Sequence, residues 1–119
     1  MNDLNQFKNN GFLVKKNLIT QKEINKINKV VNEVISKEKE RKRSNNQNGT
    51  QSYDNYHFVY NSSSSKDKEI LRLNNPQNRH KIFYQLSRNK KIISIAKKLL
   101  GGTVRFHLGK LNFKLPNKK

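Results

Sequence analysis

Histidine is the side chain best suited to hold a metal or move a proton near neutral pH, and this chain has three: His57, His80 and His107. None is followed two residues later by a carboxylate: His57 precedes Phe58-Val59, His80 precedes Lys81-Ile82, and His107 precedes Leu108-Gly109. All three read as ordinary strand or helix positions. Cysteine is absent, which excludes disulfides and thiolate metal sites. The pair Gly101-Gly102 is too little for a phosphate-cradling loop, because no Gly-Lys-Ser/Thr follows it; a helix stop is the better reading. What remains is a row of polar side chains two residues apart, Lys110, Asn112 and Lys114, which a strand would place on one face. Taken alone, that row is accounted for by a solvated outer face.

Charge offers a second kind of chemistry. Lys and Arg number 26 against 8 Asp and Glu, a formal net charge of +18 over 119 residues. Such an excess suggests nucleic acid or an anionic surface. Here, however, Lys is spread along the whole chain with abundant Asn and Ile, a bias that coding-DNA composition produces as readily as selection for a ligand. The run Lys37-Glu38-Lys39-Glu40-Arg41-Lys42-Arg43 could be a nuclear-localisation or nucleic-acid patch. The better reading is a solvated helix end, with i,i+4 ion pairs and basic charge at the negative pole of the dipole. Tyr53, Tyr56, Phe58 and Tyr60 could stack bases, so a small basic nucleic-acid-binding module is the rival reading.

Hydrophobic residues make up 32% of the chain, and mean hydropathy is −1.02. The core should therefore be thin, as in a partly disordered basic protein or a fragment completed by other residues. No apolar run of membrane-spanning length or signal-peptide pattern occurs, so a cytoplasmic protein with no membrane partner is the default expectation. Met1 reads as a genuine start, whereas Lys119 does not read as a natural stop.

The elements that must position the polar row follow from periodicity and punctuation. Asp3 to Asn10 suits a short helix, with Leu4 and Phe7 on one face and Gly11 as breaker. Phe12-Leu13-Val14 is a brief extended apolar run. Thr20 and Glu23 form a capping box for a helix with Ile24, Ile27, Val30, Val31, Val34 and Ile35 on one stripe, expected to reach about Lys42. Tyr53 to Tyr60 and Ile70 to Leu73 suit strands. Asn74-Asn75-Pro76 suits a turn. Gln77 to Arg88 reads as a helix, and Asn89 can cap another that Gly101 ends. Thr103 to Lys114 then reads as one long strand. From Leu108 onward Leu108, Lys110, Asn112 and Lys114 share one face, and Gly109, Leu111, Phe113 and Leu115 share the packing face.

Three blocks in this order resemble the phytanoyl-CoA dioxygenase family of Fe(II)- and 2-oxoglutarate-dependent oxygenases. They are Phe7-Lys8-Asn9-Asn10-Gly11-Phe12-Leu13-Val14-Lys15-Lys16-Asn17-Leu18-Ile19-Thr20 with Glu23-Ile24, then Ile95-Ala96-Lys97-Lys98-Leu99-Leu100-Gly101-Gly102, then Leu111-Asn112-Phe113-Lys114-Leu115-Pro116. The resemblance implies an α+β fold: an N-terminal helical layer plus the first strands of a double-stranded β-helix (jelly-roll, cupin-like) barrel, incomplete. Residues 1–119 would form a single partial domain, with flexible loops at 44–52 and 61–68. In the family this strand leads to a His-x-Asp pair which, with a distal His, holds Fe(II), and an Arg further on grips 2-oxoglutarate. This chain contains no His-x-Asp and no His-x-Glu, so no metal ligand is assigned. By resemblance, Lys110 and Asn112 look into the cosubstrate pocket, where Asn can hydrogen-bond a carboxylate and Lys can neutralise it. Lys114 occupies the family's recurrent Lys, as a third cosubstrate-binding candidate or a structural residue. Fe(II) and 2-oxoglutarate are thus expected in a full-length enzyme with a small-molecule substrate, while these 119 residues alone are expected to hold neither stably and to be catalytically silent.

Overall fold

Asn2 and Gly11 bracket the first helix as the residue types require. In the computed structural model, which describes residues 2–45, 58–60 and 70–114, α1 spans Asp3–Asn10. The Asn2 side chain accepts from the Asn5 N–H at 2.8 Å, and Gly11 closes the helix in the left-handed region at φ 77°. Lys15 then folds back to donate to Asp3 at 2.9 Å, which holds that carboxyl below its ordinary range. The apolar run between them has no strand partner among the described residues. Phe12 and Val14 stay 63% and 68% exposed.

The capping box forms reciprocally at the start of α2 (Gln21–Asn45). Glu23 N–H donates to Thr20 Oγ1 at 3.2 Å, and Thr20 N–H donates to Glu23 Oε2 at 2.8 Å. α2 continues to Asn45 because nothing from Arg41 onward breaks it and basic residues suit its C-terminal pole. The first residues of the loop expected at 44–52 are therefore helical; its remainder and the loop at 61–68 lie outside the described residues. Within the helix, Glu38 is only 5% exposed and is held by a two-point grip from Arg41, at 2.9 and 2.7 Å.

The helix expected over Gln77 to Arg88 is instead a 3-10 turn at Pro76–Asn78 followed by α3 (Lys81–Ser87). The reason is His80. It is extended (φ −151°, ψ 141°), and its Nδ1 accepts from the Ile82 N–H at 3.0 Å, making it the N-cap. α4 (Lys90–Leu100) is capped by Asn89, which accepts from Lys91 and Ile92, and closed by Gly101 at φ 75°.

Three antiparallel strands follow the order β1 (Phe58–Tyr60), β2 (Ile70–Asn74), β3 (Lys110–Asn112). The single long strand expected over Thr103 to Lys114 is thus corrected to three residues. A strand extends only as far as its partner, and β2 ends where Asn75 turns left-handed at φ 50°. The alternation from Leu108 onward nevertheless holds in burial, with Gly109, Leu111 and Phe113 covered and Lys110, Asn112 and Lys114 exposed. Phe58 pairs with Leu73 and Leu73 with Leu111, so Leu73 sits in the middle of the sheet and is fully buried. An irregularity opposite Val59/Tyr60 leaves Leu71 as an extra residue on β2, letting Ile70 join Leu73 in the same cluster. Val34 and Ile35 of α2, with Leu111 and Phe113, cover that cluster. The architecture is α+β; among the described residues the sheet has two open edges and closes no barrel.

Two measurements check this packing. Leu73→Ala should lower the unfolding free energy by about 3 kcal/mol in urea titration, since it leaves a cavity between Phe58 and Leu111. A loss under about 1 kcal/mol would mean the sheet centre is not the core. The Glu23 carboxyl lies below its ordinary range, chiefly because it accepts the Thr20 backbone N–H, so the unfolded chain binds the extra proton as pH falls. Glu23→Gln, which keeps an acceptor but no charge, should therefore be less stable than wild type near neutral pH. The difference should vanish as acid titrates the folded carboxylate, and a pH-independent difference would rule the charge out as its cause.

Candidate functional site

The polar row acquires its geometry from two backbone hydrogen bonds. Phe113 N–H donates to the Leu71 carbonyl at 2.9 Å, and Asn75 N–H donates to the Gly109 carbonyl at 2.8 Å. Counting in twos between them, Arg72–Asn112 and Asn74–Lys110 are the non-hydrogen-bonded pairs, in which same-face side chains stand closest. Both pairs lie on the face opposite Leu73 and Leu111. The result is a four-residue patch with cations on one diagonal, Arg72 and Lys110, and amides on the other, Asn74 and Asn112.

Lys110 and Asn112 are thus brought together as the alternation indicates. Lys114 continues the exposed row just past β3. Arg72 and Asn74 are additions that sequence reasoning did not connect to the row. Their signal was present in the alternation of Ile70-Leu71-Arg72-Leu73-Asn74, but the pairing of β2 with β3 spans a helical excursion and is not written locally.

Among the described residues, no ion pair meets the charge on this patch. β2 and β3 contain no acidic residue. Diagonal neighbours about 7–8 Å apart repel by about half a kcal/mol through water. Three buried polar atoms nearby have no hydrogen-bond partner: Arg72 Nε, Asn74 Oδ1 and Gln77 Oε1. An orphaned guanidinium N–H is costly unless a ligand or water meets it. Lys110 and Asn112 are exposed while Arg72 and Asn74 are half-buried, so the patch is more accessible on the β3 side than on the β2 side. Such an arrangement can bind an oxyanion, the cations neutralising it and the amide N–H groups orienting it.

The patch is anchored at its lower end. Asn75 Oδ1 accepts from Gln77 Nε2 at 3.2 Å and more weakly from Gly109 N–H at 3.4 Å. A β-carbon at Gly109 would come within 2.9 Å of Gln77 Oε1, so glycine there lets β3 start close against the turn.

Metal chemistry does not fit the described residues. No group of three or more His, Asp or Glu side chains converges among them. His80 spends its Nδ1 on the α3 cap, His107 lies exposed before β3, and His57 is outside the described residues. Two shallow grooves of about 260 and 240 Å³ lie away from the patch, one between the segment 13–18 and α4, the other between the start of α2 and α3. Leu13, Leu18, Ile95 and Leu99 line the first beside Lys15, and Ile27, Ile82 and Leu86 line the second beside Glu23, Lys26, Gln85 and Asn89.

The anchor can be tested apart from any ligand. Asn75→Ala should cost about 1–2 kcal/mol in chemical unfolding, because a left-handed alanine is strained and both side-chain hydrogen bonds are lost. Asn75→Gly should cost less, and equal losses would remove backbone strain from the account. No protein-family model, no curated protein and no solved structure matches this chain.

Proposed function

We propose that this chain is the N-terminal portion of an Fe(II)- and 2-oxoglutarate-dependent dioxygenase of the phytanoyl-CoA dioxygenase type. It would supply the helical support layer and the first strands of a jelly-roll barrel. The observation that carries the reading is the cation-and-amide patch on β2 and β3, strands with no acidic residue of their own, reached through the same ordered set of capped helices and Gly101 stop that carries the family resemblance. A dicarboxylate cosubstrate needs a seat of that charge. Lys110 and Asn112 lie in it, and Lys114 extends it. The iron ligands have no counterpart among the described residues and would come from residues outside these 119. An enzyme of this kind converts 2-oxoglutarate and dioxygen to succinate and carbon dioxide while hydroxylating a C–H bond of its small-molecule substrate. A cytoplasmic location goes with this reading, and no helix among the described residues is long and apolar enough to cross a membrane.

The nucleic-acid reading draws less support. Phe58, one of the four aromatics offered for base stacking, is buried at 6% exposure, with the Arg79 guanidinium 5.4 Å from its ring centre. Tyr53 and Tyr56 lie outside the described residues.

The decisive assay is Fe(II)-dependent succinate formation from 2-oxoglutarate. The 119 residues alone should form none. The chain extended by whatever coding sequence follows Lys119 should form it, and Asn112→Ala in that longer chain should raise the apparent KM for 2-oxoglutarate. Downstream sequence without a His-x-Asp pair, or succinate formation by the 119 residues alone, would end the reading.

A further inference from the structure

One residue of β2 differs from the rest of the patch in how it is placed. Arg72 is half-buried, its Nε is buried without a hydrogen-bond partner, and no acidic side chain stands on either strand beside it. Arginine cannot shed its charge to escape that cost. Partly buried arginines are ordinarily met by a carboxylate or a carbonyl, as Glu38 meets Arg41 in α2. Directly across the ladder stands Asn112, and diagonally across stands Lys110, both exposed on the same face.

We infer that Arg72 is the principal oxyanion-binding residue of this face, gripping a carboxylate of a small dicarboxylate between its guanidinium and the Lys110 ammonium. Three features make the ligand a carboxylate rather than a neutral polar molecule. The guanidinium is planar and presents paired N–H groups that match a carboxylate's two oxygens. Lys110 on the diagonal supplies the second positive charge, and binding an anion removes the repulsion between the two. The Asn112 amide, opposite Arg72, can donate a third hydrogen bond to the same oxygens, while Asn74, opposite Lys110, offers an amide to the far end. The strand pairing sets the spacing, and the core beneath Leu73 fixes which face these residues occupy. The inference deepens the oxygenase reading, since 2-oxoglutarate is a dicarboxylate, but its test needs no iron and no turnover.

The test uses the 119-residue chain without metal, titrated with 2-oxoglutarate, succinate and inorganic phosphate while backbone amide resonances are followed by NMR. Wild type should bind the two dicarboxylates weakly, in the millimolar range, with shifts centred on residues 72–75 and 109–113. Arg72→Gln should weaken binding by at least about tenfold, and Arg72→Lys should weaken it less, because charge survives and the planar fork does not. Lys8→Gln, on α1, should change affinity by less than about twofold, the level expected of a distant exposed charge. The dispersed amide spectrum of each variant reports that it is folded, and Arg72→Lys serves if Arg72→Gln is not. An affinity unchanged in folded Arg72→Gln, or in Arg72→Lys where that variant must serve, overturns the inference and leaves the oxygenase reading standing on Lys110 and Asn112. Equal losses in Lys8→Gln, or absence of dicarboxylate binding by wild type, also overturn it. Arg72-dependent binding of phosphate as tight as that of dicarboxylates would uphold an oxyanion seat while overturning its assignment to a carboxylate, and with it the support this patch gives the oxygenase reading.

Discussion

Everything of functional interest in this chain depends on which way Leu73 points. A strand has a period of two, so the burial of Leu73 between Phe58 and Leu111 sends Arg72 and Asn74 to the opposite face. A slip of one residue would drive a guanidinium and an amide toward Val34 and Ile35 and expose the one fully buried side chain among the described residues. The hydrophobic effect thus specifies a polar surface it does not itself touch. Removing a leucine from water is worth about 2 kcal/mol, and burying a guanidinium without a partner costs still more. The two terms reinforce each other in choosing the register.

The helical layer follows from that sheet. α2 has 25 residues and is about 38 Å long, whereas a five-residue strand such as β2 covers about 17 Å. One sheet cannot occupy the whole helix. Val34 and Ile35 meet the strands, while Val30, nearer the N-terminus, is buried away from that cluster, and α2 also touches α3. One turn beyond Val34 and Ile35, Glu38 is nearly fully buried and is held by the two-point ion pair with Arg41. The apolar core remains small, which agrees with a chain whose hydrophobic content is 32%.

Legibility in the sequence tracked the range of the interaction. Caps and stops involve residues at most a few positions apart, and Thr20 with Glu23, Asn89, Gly11 and Gly101 all act as their types suggest. His80 is not legible as a cap because histidine is an uncommon one, and the helix stripe of Ile82, Phe83 and Leu86 says nothing about where the first turn begins. The overlong strand from Thr103 arose because alternation reports which face a residue takes, not whether a partner strand exists. Half of the candidate site was visible for the same reason. Lys110 and Asn112 lie on one local pattern, whereas Arg72 joins them through a ladder whose other strand lies some forty residues away. No local rule encodes that closure.

The turn at Asn75 has a consequence for how such a chain can vary. The polypeptide leaves the sheet at Asn75 and comes back at Gly109, 34 residues later, onto the same residue it departed from. The intervening α3 and α4 therefore form a closed cassette whose two ends meet at a point. Because that junction sets where β3 begins, insertions or deletions between the helices need not alter strand register, and the entropic penalty of a longer loop grows only logarithmically. A single residue added within β2 or β3 would instead invert a face. Length variation over evolutionary time, or by engineering, is thus steered into the helices, while the strands that bear the charge keep their count.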